Sequence, residues 1–295
     1  MSDSRADLIV GGDSLIGSAL AERLRAQGRP VLATTRRPER VGGERLFLDL
    51  AADPLAWESD RPIGTVYLCA GVTRLEDCRS DPQGSARINV AAASALAARL
   101  AGEGAFIVFL STNQVFDGSE PCPSSGRPPA PRTEYGRQKA AAEAALKGLG
   151  DRAAVVRLTK VLGESPPLFR AWAESLSRGE RIRPFRDMVM SPLPLPGVVS
   201  VLSLIGGLGL PGLWQVSAER DVTYAEAAEI GARASGLDPG LIEPVEAAAA
   251  GLPFEHLPTH TTLDTSRLQA ELGLGLPPAS STVARVFSRL AREYR

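Results

Sequence analysis

Tyr135-Gly136-Arg137-Gln138-Lys139 sets a phenol and an ammonium four residues apart, near the start of a helix-forming stretch. Positions i and i+4 of a helix share a face, so both head groups can reach one small volume. With 4 tyrosines and 3 lysines in 295 residues, chance provides only about 0.04 such pairs. A tyrosine ionises near pH ~10, and a neighbouring ammonium lowers that value by favouring the phenolate. A phenol poised in this way can protonate a carbonyl oxygen as hydride arrives, or take the proton in the reverse direction. The competing account is a surface tyrosine beside an ordinary lysine.

A second group of polar residues closes an apolar run. Phe106–Leu110 ends in Ser111-Thr112-Asn113-Gln114-Val115-Phe116-Asp117-Gly118. Hydroxyls at the carboxyl end of a buried strand lie where open α/β sheets bind ligands. Thr112 is the better placed of the two to hold a substrate carbonyl, although Ser-Thr at a strand end also forms turns.

Near the N-terminus a short apolar run enters Gly11-Gly12-Asp13-Ser14-Leu15-Ile16-Gly17, and a helical pattern follows. Strand before and helix after is the context in which a glycine turn cradles phosphate. Gly11 permits the turn, Gly17 lets helix and strand approach, and the amides around Ser14, Leu15 and Ile16 are left to hold a pyrophosphate. Ser14 stands where a glycine is usual; its hydroxyl could donate to phosphate, but its Cβ narrows the approach. The second strand ends in Thr35-Arg36-Arg37 with no acid between Val31 and Arg37. Arginine there suits the 2′-phosphate of NADP better than the ribose hydroxyls of NAD, unless Arg36 and Arg37 are simply a solvated pair. Asp49, with Leu50 beside it, either meets the adenine amino group or caps the turn that follows. The small residues Ala70 and Gly71 let a dinucleotide pass close to the backbone. Asn89 is a poor helix former in mid-helix and is expected to hydrogen-bond backbone near the site.

Positioning such groups requires a parallel sheet. Strand-like runs fall at Leu8–Gly11, Val31–Thr35, Arg45–Leu48, Thr65–Ala70, Phe106–Leu110 and Ala154–Leu158. Helical stretches at Leu15–Ala26, Gln83–Ala101 and Glu134–Lys147 separate them. This alternation predicts an α/β fold with a doubly wound, Rossmann-type sheet. Beyond Gly163 the rhythm changes. A helix is expected from Pro166-Pro167 to Ser177, an irregular proline-rich stretch over Pro184–Pro196, and helices near Gly197–Ile205, Tyr224–Ala234, Asp264–Leu272 and Thr282–Tyr294. The expected division is a cofactor domain over 1–163, with a return segment near 188–220. A smaller α+β substrate lobe takes 164–187 and 221–295.

The bulk composition excludes several classes. Net charge is −1 and charged residues make up 23%, so nothing calls for nucleic acid or an anionic membrane as partner. Cys69, Cys78 and Cys122 have no paired spacing, which fits a reducing, cytoplasmic setting. The apolar stretch Val198–Leu210 is too short and glycine-rich to span a bilayer. His256 and His260 have i, i+4 spacing, but Pro258 lies between them and no cysteine joins in, so no metal site is expected. A serine hydrolase is unsupported, because no nucleophile elbow surrounds Ser14.

These residues together resemble the extended short-chain dehydrogenase/reductase family, and within it the dTDP-4-dehydrorhamnose reductase-like group. The likeness runs from Ile9 to about Pro278. Its most specific piece is Ser111–Gly118, similar to the group's Ser-Thr-Asp-Tyr-Val-Phe-Asp-Gly. Tyr135 to Lys139 followed by Glu143, Val156-Arg157-Leu158 leading to Gly163, Ser191-Pro192, Leu263–Leu268 and Leu272-Gly273 support it. The resemblance implies reduction of a keto group on a nucleotide-activated sugar with NADP(H), or with NAD(H), in a protein that could form a homodimer. It implies Thr112 as the hydroxyl aiding the carbonyl, Tyr135 as acid/base, and Lys139 on the nicotinamide ribose. Gly11, Gly17, Arg36, Ala70 and Asn89 fall around the cofactor. Three departures stand out: Asn113-Gln114 replaces Asp-Tyr, Ser14 replaces glycine, and Arg186-Asp187-Met188 replaces a more polar run. Alternative readings are a nucleotide-sugar epimerase or dehydratase, and a non-catalytic NADP-binding regulator like that of methionine adenosyltransferase.

Overall fold

Every residue of the first strand, β1 (Ala6–Val10), is buried, as a strand covered by helices on both faces requires. The computed structural model describes residues 5–250 and 257–294. Around β1 lie β2 (Val31–Thr35), β3 (Arg45–Phe47), β4 (Ile63–Leu68), β5 (Phe106–Thr112) and β6 (Ala153–Leu158). With the strand Gly212–Val216 they form one seven-stranded sheet. Its order is β3-β2-β1-β4-β5-β6 and then Gly212–Val216. The register is parallel from β3 through β5. Order reverses on either side of β1, which makes the sheet doubly wound and places a ligand crevice at the strands' carboxyl ends. The Rossmann-type α/β class expected from the alternation is the one observed.

The chain divides into two compact units: 1–116, 128–157 and 198–214 in the first, 117–127, 158–197 and 215–295 in the second. In the first, Leu8, Val10, Val66, Leu68, Ile107 and Phe109 pack against Leu96, Ala97 and Leu100 of the helix Ala93–Gly102. Gly206 meets Tyr67 so closely that an added Cβ would lie 2.2 Å from the phenol oxygen. In the second, the helices Pro167–Ser177, Tyr224–Ser235 and Ala279–Arg292 gather around Phe169, Trp172 and Phe287. Phe169 stacks on Trp172 at 5.6 Å.

Several boundaries differ from the sequence expectations for identifiable reasons. Gly11 leaves the strand at φ +88, so β1 stops at Val10. The single helix expected over Gln83–Ala101 is three pieces: Pro82–Ala86, a π-helical turn Arg87–Ala92, and Ala93–Gly102. The stretch Pro184–Pro196 is less irregular than expected. Pro192–Pro194 pairs in parallel with Lys160–Leu162, and Val189–Met190 pairs antiparallel with Val222–Thr223. Among the described residues no helix is long and apolar enough to cross a membrane.

Candidate active site

The cradle is built from short-range hydrogen bonds. Gly11 N–H donates to Thr34 Oγ1 at 2.9 Å and Gly12 N–H to the Thr34 carbonyl at 2.9 Å, so the turn is sewn to the end of β2. Ser14 caps the helix α1 (Leu15–Ala26): its hydroxyl accepts from Gly17 N–H at 3.1 Å and donates to the Gly11 carbonyl at 2.8 Å. That cap engages the hydroxyl that sequence reading offered to phosphate. It leaves the amides of Leu15 and Ile16, at the positive end of α1, with no acceptor among the described residues. Two unpartnered donors on the dipole axis fit the pyrophosphate of a dinucleotide.

Gly17 has no room for a side chain, since a Cβ would lie 2.3 Å from the Gly11 carbonyl and 2.8 Å from Ser14 Oγ. Gly17→Ala must therefore open the turn. We expect it to weaken NADPH binding by more than ~tenfold and to cost ~1–3 kcal/mol of stability. Fluorescence titration and denaturant unfolding report both; wild-type affinity in this variant would show that the turn does not grip the cofactor.

The remaining cradle residues fall into two groups. Arg36 and Arg37 are exposed just beyond β2, and neither side chain has a partner among the described residues. Asp49 accepts from Ala51 N–H at 3.0 Å, which is the turn-cap role, and the neighbouring Leu50 is buried. Ala70 lies against Gly11: a Cβ there would stand 2.7 Å from Ala70 N. Gly71 lies beside Asn89, at 2.9 Å from Oδ1 on the same measure.

Asn89 is buried in the π-helical turn, a local widening that often marks functional positions. Its Oδ1 accepts from Val72 N–H at 2.8 Å. Its Nδ2 donates to the Val72 carbonyl at 2.9 Å and to Gln138 Oε1 at 2.8 Å. Gln138 in turn donates to Ser85 Oγ at 2.8 Å and to the Pro82 carbonyl at 3.2 Å. The amide pair thus ties the segment after β4 to the helix that carries Tyr135 and Lys139.

That helix, Glu134–Leu146, is capped by Thr133, whose Oγ1 accepts from Gly136 N–H at 3.0 Å. The Thr133 hydroxyl donates to Gln114 Oε1 at 3.0 Å, so one of the departing residues steadies the helix start. Gly136 is needed there: a Cβ would lie 2.2 Å from the Gln114 carbonyl. Tyr135 and Lys139 are both buried on one face, with Lys139 Nζ 6.0 Å from the centre of the Tyr135 ring. The ammonium donates to the Leu110 carbonyl at 2.7 Å and lies 4.4 Å from the centre of the Phe109 ring.

The electrostatics differ from the sequence expectation. Burial pushes the Tyr135 phenol well above its ordinary value, and the Cys78 thiol acts in the same direction. Lys139 bonds a carbonyl of β5, and burial of the phenol outweighs its charge. Burial lowers the Lys139 ammonium to about 8, with Glu143, Cys69 and Cys78 opposing. At neutral pH the pair is a protonated phenol beside a cationic amine. The Tyr135 hydroxyl has no hydrogen-bond partner among the described residues.

Ser111 and Thr112 point to opposite sides, as neighbours on a strand must. Thr112 Oγ1 accepts from Gln114 N–H at 3.2 Å, and its own proton meets only Asn113 Oδ1 at a long 3.4 Å. Ser111 Oγ instead donates to Glu143 Oε1 at 2.5 Å. Glu143 is also gripped by Arg157, with Nη2 to Oε2 at 2.6 Å and Nε to Oε1 at 3.0 Å. In the sequence Glu143 and Arg157 are only letters of separate motifs, and nothing there signals this buried pairing.

In the second unit, His260 Nδ1 lies 3.5 Å from Asp221 Oδ2, whereas His256 lies outside the described residues.

Residues 6–292 match the model of one protein family, described as the RmlD substrate binding domain. The probable low-salt glycan biosynthesis reductase Agl14 of Haloferax volcanii is 28% identical over 286 residues, 94% of this chain and 95% of that protein. The dTDP-4-dehydrorhamnose reductase of Streptomyces griseus is 29% identical over 279 residues, 92% and 88% of the two chains. The dTDP-4-dehydrorhamnose reductase of Bacillus anthracis, solved in complex with NADP, is similar in structure with a TM-score of 0.82. It is 20% identical and covers 96% of this chain and 98% of its own, a likeness of fold.

Proposed function

This chain belongs to the RmlD substrate binding domain family, and from that premise we propose that it reduces a keto group on a nucleotide-activated sugar with NADP(H). NAD(H) is the second cofactor the same cradle would accept. The observation that carries the reading is the buried phenol of Tyr135, protonated and without a hydrogen-bond partner, on the helix face of Lys139. Reductases of dTDP-4-keto sugars among its relatives support the substrate class.

Bound NADPH supplies the hydride. Tyr135 holds the proton that a carbonyl oxygen needs as it becomes an alkoxide. Thr112, whose proton is only loosely held by Asn113, donates to that oxygen and fixes its position. Lys139 is held by the Leu110 carbonyl where its charge can meet the ribose and stabilise developing negative charge. Asn89 and Gln138 position the helix without touching the reacting atoms. The second unit is the substrate-binding lobe in this reading. The chain works in the cytoplasm and as a homodimer.

The direct test is NADPH oxidation at 340 nm (roughly the nicotinamide band) with a dTDP-4-keto-6-deoxy sugar. Saturable turnover is expected. NADPH binding without turnover across a panel of keto sugars would favour a regulatory role, and interconversion of sugars without net NADPH use would favour an epimerase.

The pH dependence follows from Lys139. A base lowered to about 8 is charged below that pH and neutral above it. If the ammonium is required, kcat/KM is level through pH ~7 and falls toward tenfold per pH unit above about 8. Lys139→Met should be slow at every pH and lack this limb. A wild-type profile that stays flat to pH ~10 would remove the charge from the mechanism.

A further inference from the structure

Between Val31 and Arg37 the strand β2 has no acid, yet the fold delivers one to its end from the glycine turn. Asp13 Oδ2 accepts from Thr35 Oγ1 at 2.5 Å, on the last residue of β2. Its Oδ1 accepts from Arg40 Nη1 and from Arg45 Nη1, each at 3.2 Å. The Thr35 hydroxyl chiefly, with the two arginines, holds the carboxyl below its usual range, so it is ionised at neutral pH. Arg36 and Arg37 stand next in the chain; Arg37 N–H donates to Thr35 Oγ1 at 3.0 Å, and neither arginine side chain has a partner among the described residues. The nearby acids are directed elsewhere or lie in solvent: Glu44 pairs with Arg25, and Glu39 is exposed.

In a sheet of this type the end of β2 meets the adenosine ribose, and the group there selects between a 2′-hydroxyl and a 2′-phosphate. Here that place holds a carboxylate and two arginines already engaged with it. We propose that Asp13 is the specificity-determining residue for the cofactor's 2′ group: by occupying Arg40 and Arg45 it keeps the site tolerant of a 2′-hydroxyl and restrains its grip on a 2′-phosphate. The carboxylate accepts from a ribose hydroxyl and repels a phosphate. Its removal returns two guanidinium groups to the phosphate, which arginine binds in forked geometry. This rests on the dinucleotide-binding reading above, but it concerns which dinucleotide.

The test uses adenosine 2′,5′-bisphosphate and adenosine 5′-monophosphate, which differ only in the 2′-phosphate, titrated calorimetrically into the full chain. Wild-type protein is expected to bind the two within roughly tenfold of each other. Asp13→Asn keeps the shape of the side chain and is expected to tighten the bisphosphate by roughly tenfold, as removal of one nearby like charge would. The monophosphate should change by no more than about threefold. Adding Arg40→Gln and Arg45→Gln to Asp13→Asn should abolish the gain. An unchanged or weakened bisphosphate in Asp13→Asn, with monophosphate binding intact, overturns the proposal and makes Asp13 a buttress for the arginines. Failure of wild type to bind either nucleotide overturns it together with the dinucleotide reading on which it stands.

Discussion

Tyr135→Phe is expected to lower kcat for keto-sugar reduction by about 10³-fold while leaving NADPH affinity within a few-fold of wild type. The reasoning is local. The ring is buried, and phenylalanine fills the same space. The hydroxyl has no hydrogen-bond partner among the described residues, so its removal orphans no donor or acceptor. Stability should therefore move by less than ~0.5 kcal/mol, and any loss of rate belongs to the chemical step. Because burial holds the phenol protonated, the wild-type residue is an acid at neutral pH, matched to reduction of a carbonyl. A steady-state assay with a nucleotide keto sugar, beside a fluorescence titration of NADPH, separates the two parameters. Unchanged turnover would take Tyr135 out of the mechanism.

What sequence could show about this site follows from distance along the chain. The Tyr135/Lys139 pair and the Gly11–Gly17 turn are short-range patterns, and one helical turn or one strand-to-helix corner is enough to place them. The sheet was legible for a similar reason, since each buried strand carries its own apolar run. The arrangement around them depends on partners far apart. Asn89 reaches Gln138 across 49 positions, and Asp13 reaches Arg45 across 32. No periodicity announces such contacts. The π-helical turn is hidden too, because Arg87–Ala92 has the composition of an ordinary helix, and the bond between Asn89 and Val72 made within it spans 17 positions. The direction of the phenol's shift is hidden from the sequence for the same cause. Spacing shows that an ammonium is near, but only packing shows that burial outweighs it and that the ammonium is bound to Leu110.

Glu143→Ala should be the most destabilising single substitution near the site. Arg157 is 2% exposed, and its guanidinium has Glu143 as its carboxylate partner, with the Phe116 ring 4.9 Å away. Removing the carboxylate takes the 2.6 Å ion pair from a buried guanidinium and leaves the Ser111 hydroxyl without its acceptor. The expected cost is ~3–5 kcal/mol, which lowers the melting temperature on the order of 10 °C. Ser111→Ala should cost only about 1–2 kcal/mol, because Arg157 still satisfies the carboxylate. Replacing both ions, as in Glu143→Leu with Arg157→Met, should recover most of the loss, since the penalty lies in burying a charge whose ion pair has been removed. If Glu143→Ala unfolds within ~1 kcal/mol of wild type, the buried pair is not what holds this region. The double variant also separates fold from chemistry. Glu143 follows Lys139 by one helical turn and binds Ser111, the neighbour of Thr112, so its carboxylate links the helix face to the strand end. A double variant restored in stability but slow in turnover would show that the ion pair also sets the spacing of the hydroxyl, phenol and ammonium.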